Sequence, residues 1–313
     1  MDKVVLGRTG LKVTVAGLGG GGHSRLGIEK YGEKHAAGLV RKAFDLGVNF
    51  FDTAAAYKTE GAMGLGLKGI ARDEYVLSSK FRYDYMSNGE FKKPQALTDT
   101  LEKCLRELQT DYVDVYHLHG VTNENYDRAR DLFVPVMEKA RDQGKLRFLG
   151  VTERLNQDTS HEMLKRALQD DLFDVIMVGY NMLNPSAAKT VLPVAVQNNV
   201  GVLCMFAVRT ALSDPERLKA NLDIIAEHGQ GGPGFTTSSD ILDFLTENGA
   251  DSVINAAYRF CRHCPGIDVT LTGTSSIEHL EENLNSIKMP ALPDSILSKL
   301  ETLFGNVDCI ASE

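Results

Sequence analysis

A carboxylate, a phenol, an amine and an imidazole stand where apolar runs of the chain give way to polar loops. Asp52 closes "VNFFD" and Tyr57 follows it in "TAAAYKTEG"; Lys80 closes "VLSSK" and His119 closes "VYHLH". Singly, each has an ordinary structural reading: a strand-end aspartate caps a turn, a tyrosine packs, a lysine is solvated. Together they make a proton-transfer set. A free phenol, with a pKa near 10, holds its proton too tightly to exchange it at neutral pH. An ammonium about 4 Å away stabilises phenolate by roughly 4 kcal/mol at an effective dielectric of about 20, or about three pKa units. Asp52 would offset part of that shift while keeping Lys80 charged and oriented.

Such a set works only if successive strands end on one rim. Eight strand-like runs alternate with amphipathic helical runs: residues 13–19, 48–52, 75–81, 112–119, 146–151, 173–180, 200–206 and 268–273. Leu97, Leu101, Leu105 and Leu108 share one helical face, and Ile277, Leu280, Leu284 and Ile287 share another after a serine cap. Gly144 is placed to stop a helix near 128–143. Eight β-then-α units without a linker predict an α/β fold, a (β/α)₈ TIM barrel forming a single domain over 1–313. In that fold the reactive groups gather at the C-terminal ends of the strands. "MDKVVLGRTGLKV" precedes the first barrel strand and reads as a hairpin closing the bottom. Residues 207–267 are too long for one crossover, so an insertion lies between strands 7 and 8. It holds the glycine-rich "GQGGPGFTTSS" (229–239), either a cover for a ligand or a passive surface loop.

The formal charge of -8 argues against a broad nucleic-acid or anionic-membrane surface. No apolar run approaches a membrane span, the start has no signal-like core, and five cysteines give no disulfide framework. A cytoplasmic protein is expected. The oligomeric state is open.

Over nearly its whole length the sequence resembles the aldo-keto reductases. The segments that carry the likeness include "LGRTGLKVTVAGLGGG", "AFDLGVNFFDTAAAYKTEGAMGLGLKG", "VLSSKF", "LEKCLRELQTDYVDVYHLH", "GKLRFLGVTE" and "LTGTSSIEHLEENL". The resemblance puts the family's catalytic tetrad on Asp52, Tyr57, Lys80 and His119. It implies NAD(P)(H)-dependent interconversion of a carbonyl and an alcohol, with Tyr57 as proton donor and acceptor and His119 polarising the substrate oxygen. His117 shares a strand face with His119, one layer deeper, and reads as a hydrogen-bonded interior residue or a pocket wall. His23, Tyr85 and His117 are the candidate substrate-pocket residues. "VDVYHLHG", "LGVTERL" and "CMFAVRTAL" lie closer to the aldose dehydrogenase-like branches, so sugars or small aldehydes are implied.

The implied cofactor site departs from the family pattern. Ser-Asn after the fifth strand becomes Thr152-Glu153, and the sixth-strand Gln becomes Met177. The aromatic that stacks on the nicotinamide aligns with Met205, with Phe206 beside it. Asp52 also borders this site. Gly273-Thr274-Ser275 opens a helix suited to an anion, and Glu282 and Asn283 match positions near the adenine. The Lys and Arg that hold an NADP 2′-phosphate align with Gly273 and His279, so NAD is at least tolerated; Arg209 is a possible substitute cation. Between NADP and NAD the sequence leaves the preference open.

Two motifs are set aside. Gly17, Gly19 and Gly22 fit G-x-G-x-x-G, but "HSRLGIEKYGE" intervenes before the next helix, against a dinucleotide-binding Rossmann turn. "CRHC" (261–264) lacks the second ligand pair of a structural zinc. From another class, the resemblance also admits a non-catalytic scaffold like the potassium-channel β subunits, which keep a bound nicotinamide.

Overall fold

The computed structural model describes residues 1–85, 90–247 and 249–312. Strands β1 (Lys3–Val5) and β2 (Lys12–Thr14) pair antiparallel. Eight parallel strands follow: β3 (Ala16–Gly19), β4 (Phe50–Asp52), β5 (Val76–Phe81), β6 (Val113–Val121), β7 (Leu146–Glu153), β8 (Val175–Gly179), β9 (Gly201–Met205) and β10 (Val269–Thr272). They close in chain order, with β10 returning to β3. Each of the eight runs read from the sequence holds a barrel strand, but the first does so only from Ala16, because Val13 and Thr14 belong to the hairpin strand β2.

The hairpin plugs the bottom of the barrel. Leu6, Leu11 and Val13 pack with Phe50, Val115, Val175 and Leu203 in the interior. Fully burying such side chains contributes roughly 1.5–3 kcal/mol each. Gly7, at φ +45°, is needed here, because a Cβ would lie 2.2 Å from the Gly201 nitrogen.

Helices face the barrel with the stripes the spacing predicts. Leu97, Leu101, Leu105 and Leu108 of helix Gln95–Leu108 are all buried. Helix Tyr126–Asp142 gives way to Gly144 at φ +74°. Ser276 caps helix Ile277–Lys288, which buries Leu280, Leu284 and Ile287. Ile277, at its first position, is 40 % exposed and falls off that face.

The insertion between β9 and β10 carries helices Pro215–Glu227, Phe244–Glu247 and Val253–Arg262. It shares a second apolar cluster with the C-terminal helix Asp294–Phe304. The glycine-rich loop is committed to that helix: Gly232 N donates to Leu303 O at 3.0 Å, and Phe235 meets Phe304 edge-on. A Cβ on Gly232 would run into Thr302 O, so glycine here lets the loop pack against the helix. Among the described residues no helix is long and apolar enough to cross a membrane.

Candidate active site

The strand register brings the acid and the amine together. Asp52 sits opposite Ser78, two residues before Lys80 on the same face of β5. Lys80 Nζ donates to Asp52 Oδ2 at 2.5 Å and to Thr53 O at 2.8 Å. Ser78 Oγ donates to Asp52 Oδ1 at 2.7 Å. An ammonium with no exposed surface needs this coordination to offset its desolvation. Burial pulls Lys80 down, but Asp52 and Tyr57 outweigh it, so the amine stays charged above its usual range. Burial pushes Asp52 above the usual carboxylate range, against Lys80 and Ser78.

Tyr57 ends a short turn, Ala55–Tyr57, closed by Lys58 at φ +61°. Its ring lies 4.9 Å from Lys80 Nζ, and its hydroxyl and His119 Nε2 are hydrogen-bonded at 3.1 Å. The rings of Tyr57 and His119 meet edge-on at 89°. A residue unmarked by chemistry also fixes this ring. A Cβ on Gly21 would lie 2.7 Å from Tyr57 Cε2 and Cζ, so the loop after β3 approaches the phenol because it is glycine.

One electrostatic expectation is corrected. Burial raises the Tyr57 phenol more than the Lys80 charge lowers it, and Asp52 adds to the rise. The hydroxyl is therefore protonated at neutral pH, a donor at rest and not a half-ionised phenol. His119 is held well below 6.5 by burial, then by Lys80 and Arg82, so its imidazole is neutral.

His119 reaches this position through a bulge. The β6–β7 register shifts between Leu118 and Val121, where Gly120 adopts φ +63° and its nitrogen donates to Thr152 Oγ1 at 2.7 Å. Arg82 and Arg154 stand beside this bulge and share Asp84, at 2.5 and 2.9 Å. The sequence reading missed both arginines, because loop cations show no spacing signal. It also missed Ser78, although the two-residue period of the strand points to it.

The expected cofactor residues part company. Thr152 is buried with its hydroxyl on Gly120 N, at the end of β7. Glu153 is corrected: its side chain has no exposed surface, and its oxygens take His161 Nδ1 at 2.8 Å and Gly179 N at 2.7 Å. A carboxylate so engaged braces the wall behind the rim and is not free for a nicotinamide amide. Met177 lies in the barrel's interior cluster, 3 % exposed. Met205 and Phe206 are half-buried at the end of β9. Phe206 adopts φ +67°, and Arg209 stacks 3.9 Å from its ring centre.

After β10, Gly273 passes close to β3: a Cβ would lie 3.0 Å from Gly19 O. Thr274 Oγ1 accepts from Ser276 N, Ser275 O accepts from His35 Nε2, and Asn283 Nδ2 donates to Thr272 Oγ1. Glu282 is exposed. This donor set, with hydroxyls, an amide side chain, a helix N-terminus and an aromatic face along one edge, fits a phosphate-bearing dinucleotide.

Of the pocket candidates, His23 is exposed in the loop after β3, and Tyr85 is 48 % exposed on the rim. His117 has no exposed surface, which corrects its assignment to the pocket. It is the interior alternative, with Nε2 3.1 Å from Ser78 Oγ. The "CRHC" cysteine Cys261 is buried and hydrogen-bonds Tyr180 O beside Cys204. After Gly19 two short turns intervene before helix Glu33–Asp45, so no Rossmann turn is formed.

A closed barrel thus gathers an Asp–Lys pair, a phenol and an imidazole at its C-terminal rim. Residues 17–303 match the Aldo/keto reductase family, and the chain belongs to that family. It is 27 % identical over 289 residues to L-galactose dehydrogenase of Arabidopsis thaliana, covering 90 % of this chain and 86 % of that protein. D-threo-aldose 1-dehydrogenase of a Pseudomonas species is 26 % identical over 66 % of this chain and 70 % of its own. The holo form of an aldo-keto reductase from Bacillus halodurans superposes with a TM-score of 0.75 at 22 % identity, covering 98 % and 97 %. Family and fold support an NAD(P)-dependent oxidoreductase acting on carbonyls.

Proposed function

We propose that the enzyme reduces small aldehydes or oxidises aldoses, with Tyr57 as the group that gives or takes the proton. The observation that carries this reading is the geometry: the Tyr57 hydroxyl is hydrogen-bonded to His119 Nε2 at 3.1 Å, and the buried Lys80 amine lies 4.9 Å from the phenol ring. Bound nicotinamide would supply or accept the hydride. This chain's residues do the rest. The Tyr57 O–H and a His119 N–H converge on the substrate oxygen, and charge building there is met by fixed donors. As Tyr57 releases its proton, Lys80 stabilises the phenolate, and Asp52 and Thr53 O keep the ammonium in place. Positioned acid–base catalysis of this kind contributes about 10² to 10⁴ in rate.

Thr152, Phe206, the Gly273–Ser275 turn and Asn283 are the residues proposed to hold the dinucleotide. With Gly273 and His279 at the positions of the family's phosphate-binding cations, we propose that NAD is accepted as well as NADP. The two named sugar dehydrogenases support aldoses as the first substrates to try. The test is titration of the protein with NADH and NADPH, followed by absorbance assays on aldoses and short aldehydes. Binding with turnover supports the reading. Tight nucleotide retention without turnover on any carbonyl would point to the scaffold alternative.

A further inference from the structure

Beneath the Asp52–Lys80 pair lies a buried polar layer that the reaction as drawn does not use. Asp52 sits opposite Ser78, Lys80 opposite His117, and His117 opposite Gly150. His117 and Ser78 have no exposed surface. The imidazole fills the space a β7 side chain would take, since a Cβ on Gly150 would lie 2.2 Å from His117 Nδ1.

The direction of the hydrogen bonds follows from counting protons. Ser78 has one, and donates it at 2.7 Å to Asp52 Oδ1, a carboxylate oxygen that only accepts. Ser78 Oγ must then accept from His117 Nε2 at 3.1 Å, which fixes the neutral tautomer with its proton on Nε2. Burial and the Lys80 charge hold His117 well below 6.5, consistent with a neutral ring.

We infer that His117 and Ser78 are positioning residues, a one-way donor chain that fixes the Asp52 carboxylate so that its other oxygen meets Lys80. The inference rests on the reading in which Lys80 serves Tyr57. Ser78 is one of the groups that oppose the rise burial imposes on Asp52. The titratable groups facing Asp52 are Lys80 from β5 and Tyr57 from the loop after β4. Those facing His117 are Lys80 and, on its own strand, His119.

The test uses the full chain and the variants S78A, H117L and H117Q, the last keeping a donor at the Nε2 position. Carboxyl ¹³C NMR, with Asp52 assigned by difference from D52N, needs no turnover. The Asp52 titration is expected to move to higher pH in S78A and H117L and to stay near wild type in H117Q. In kinetics, S78A should lose about 10- to 100-fold in kcat, the scale of a hydrogen bond to a charged group. KM should barely change, and the acid limb of the pH profile should move toward neutrality. H117L should lose less, and H117Q should recover most of it. An unmoved Asp52 titration in S78A and H117L would overturn the chain, as would equal losses in H117L and H117Q that merely track melting temperature. S78A removes a single oxygen and keeps the test decisive if H117L fails to fold. A wild type without turnover on any carbonyl refutes the proposed function, while the titration still decides the chain.

Discussion

Replacing Lys80 by methionine keeps the bulk of the side chain and removes its charge. Two consequences separate cleanly. For stability, Asp52 is left buried beside a neutral neighbour, although the pair now spans 2.5 Å with no exposed surface at Lys80. Removing one partner of such a pair costs about 3–5 kcal/mol, softened here as Asp52 takes up a proton. For chemistry, the lost term is the ammonium's hold on phenolate. Over the 4.9 Å to the Tyr57 ring centre, an effective dielectric of about 20 gives about 3 kcal/mol, a slowing of a few hundredfold. The double variant D52N/K80M decides between the two. With both charges gone, urea unfolding should show recovery of most of the lost stability, because a neutral pair need not pay for desolvation. Single-turnover oxidation of the reduced cofactor should stay a few hundredfold slow. K80M turning over within a few-fold of wild type, or D52N/K80M regaining turnover along with stability, would refute the reasoning.

Gly21→Ala should lower turnover with little effect on folding, because a methyl 2.7 Å from the Tyr57 ring must push the phenol away from His119; kcat and melting temperature measured together check this. Glu153→Ala should destabilise the fold by roughly 1–3 kcal/mol for each buried donor it strands, His161 Nδ1 and Gly179 N, while leaving the dissociation constant for the nucleotide nearly unchanged. Acid should destabilise the protein through His117. Its native pKa lies below 6.5, so the unfolded chain binds the proton first, and stability present above about pH 6.5 falls with acid by up to about 1.4 kcal/mol per unit. H117Q should remove His117's share of that slope in denaturant titrations across the acid range, while His119, held low for the same reason, keeps its own.

The barrel was legible because each strand is a short apolar run between polar punctuation, and eight such runs admit few closures. The meeting of these side chains was legible because Asp52, Lys80 and His119 end or nearly end their runs, which in a barrel means one rim. What surrounds them was less so. Gly21 and Gly150 act by the side chain they lack, and a single glycine does not say which ring it makes room for. Glu153 was misplaced because rim residues alternate between the pocket and the wall, and only the packed structure shows the side chain turned toward His161. The Tyr57 phenol was misjudged because charge pairing can be counted from residue types, whereas burial, the larger effect here, depends on the whole rim.

The most direct measurement follows deuterium from a nicotinamide labelled at its transferable position to an aldehyde, comparing wild type with Tyr57→Phe. The account predicts deuterium on the product's carbinol carbon, with Tyr57→Phe binding nucleotide normally and transferring about 10² to 10⁴ more slowly. Transfer by Tyr57→Phe at the wild-type rate would contradict it.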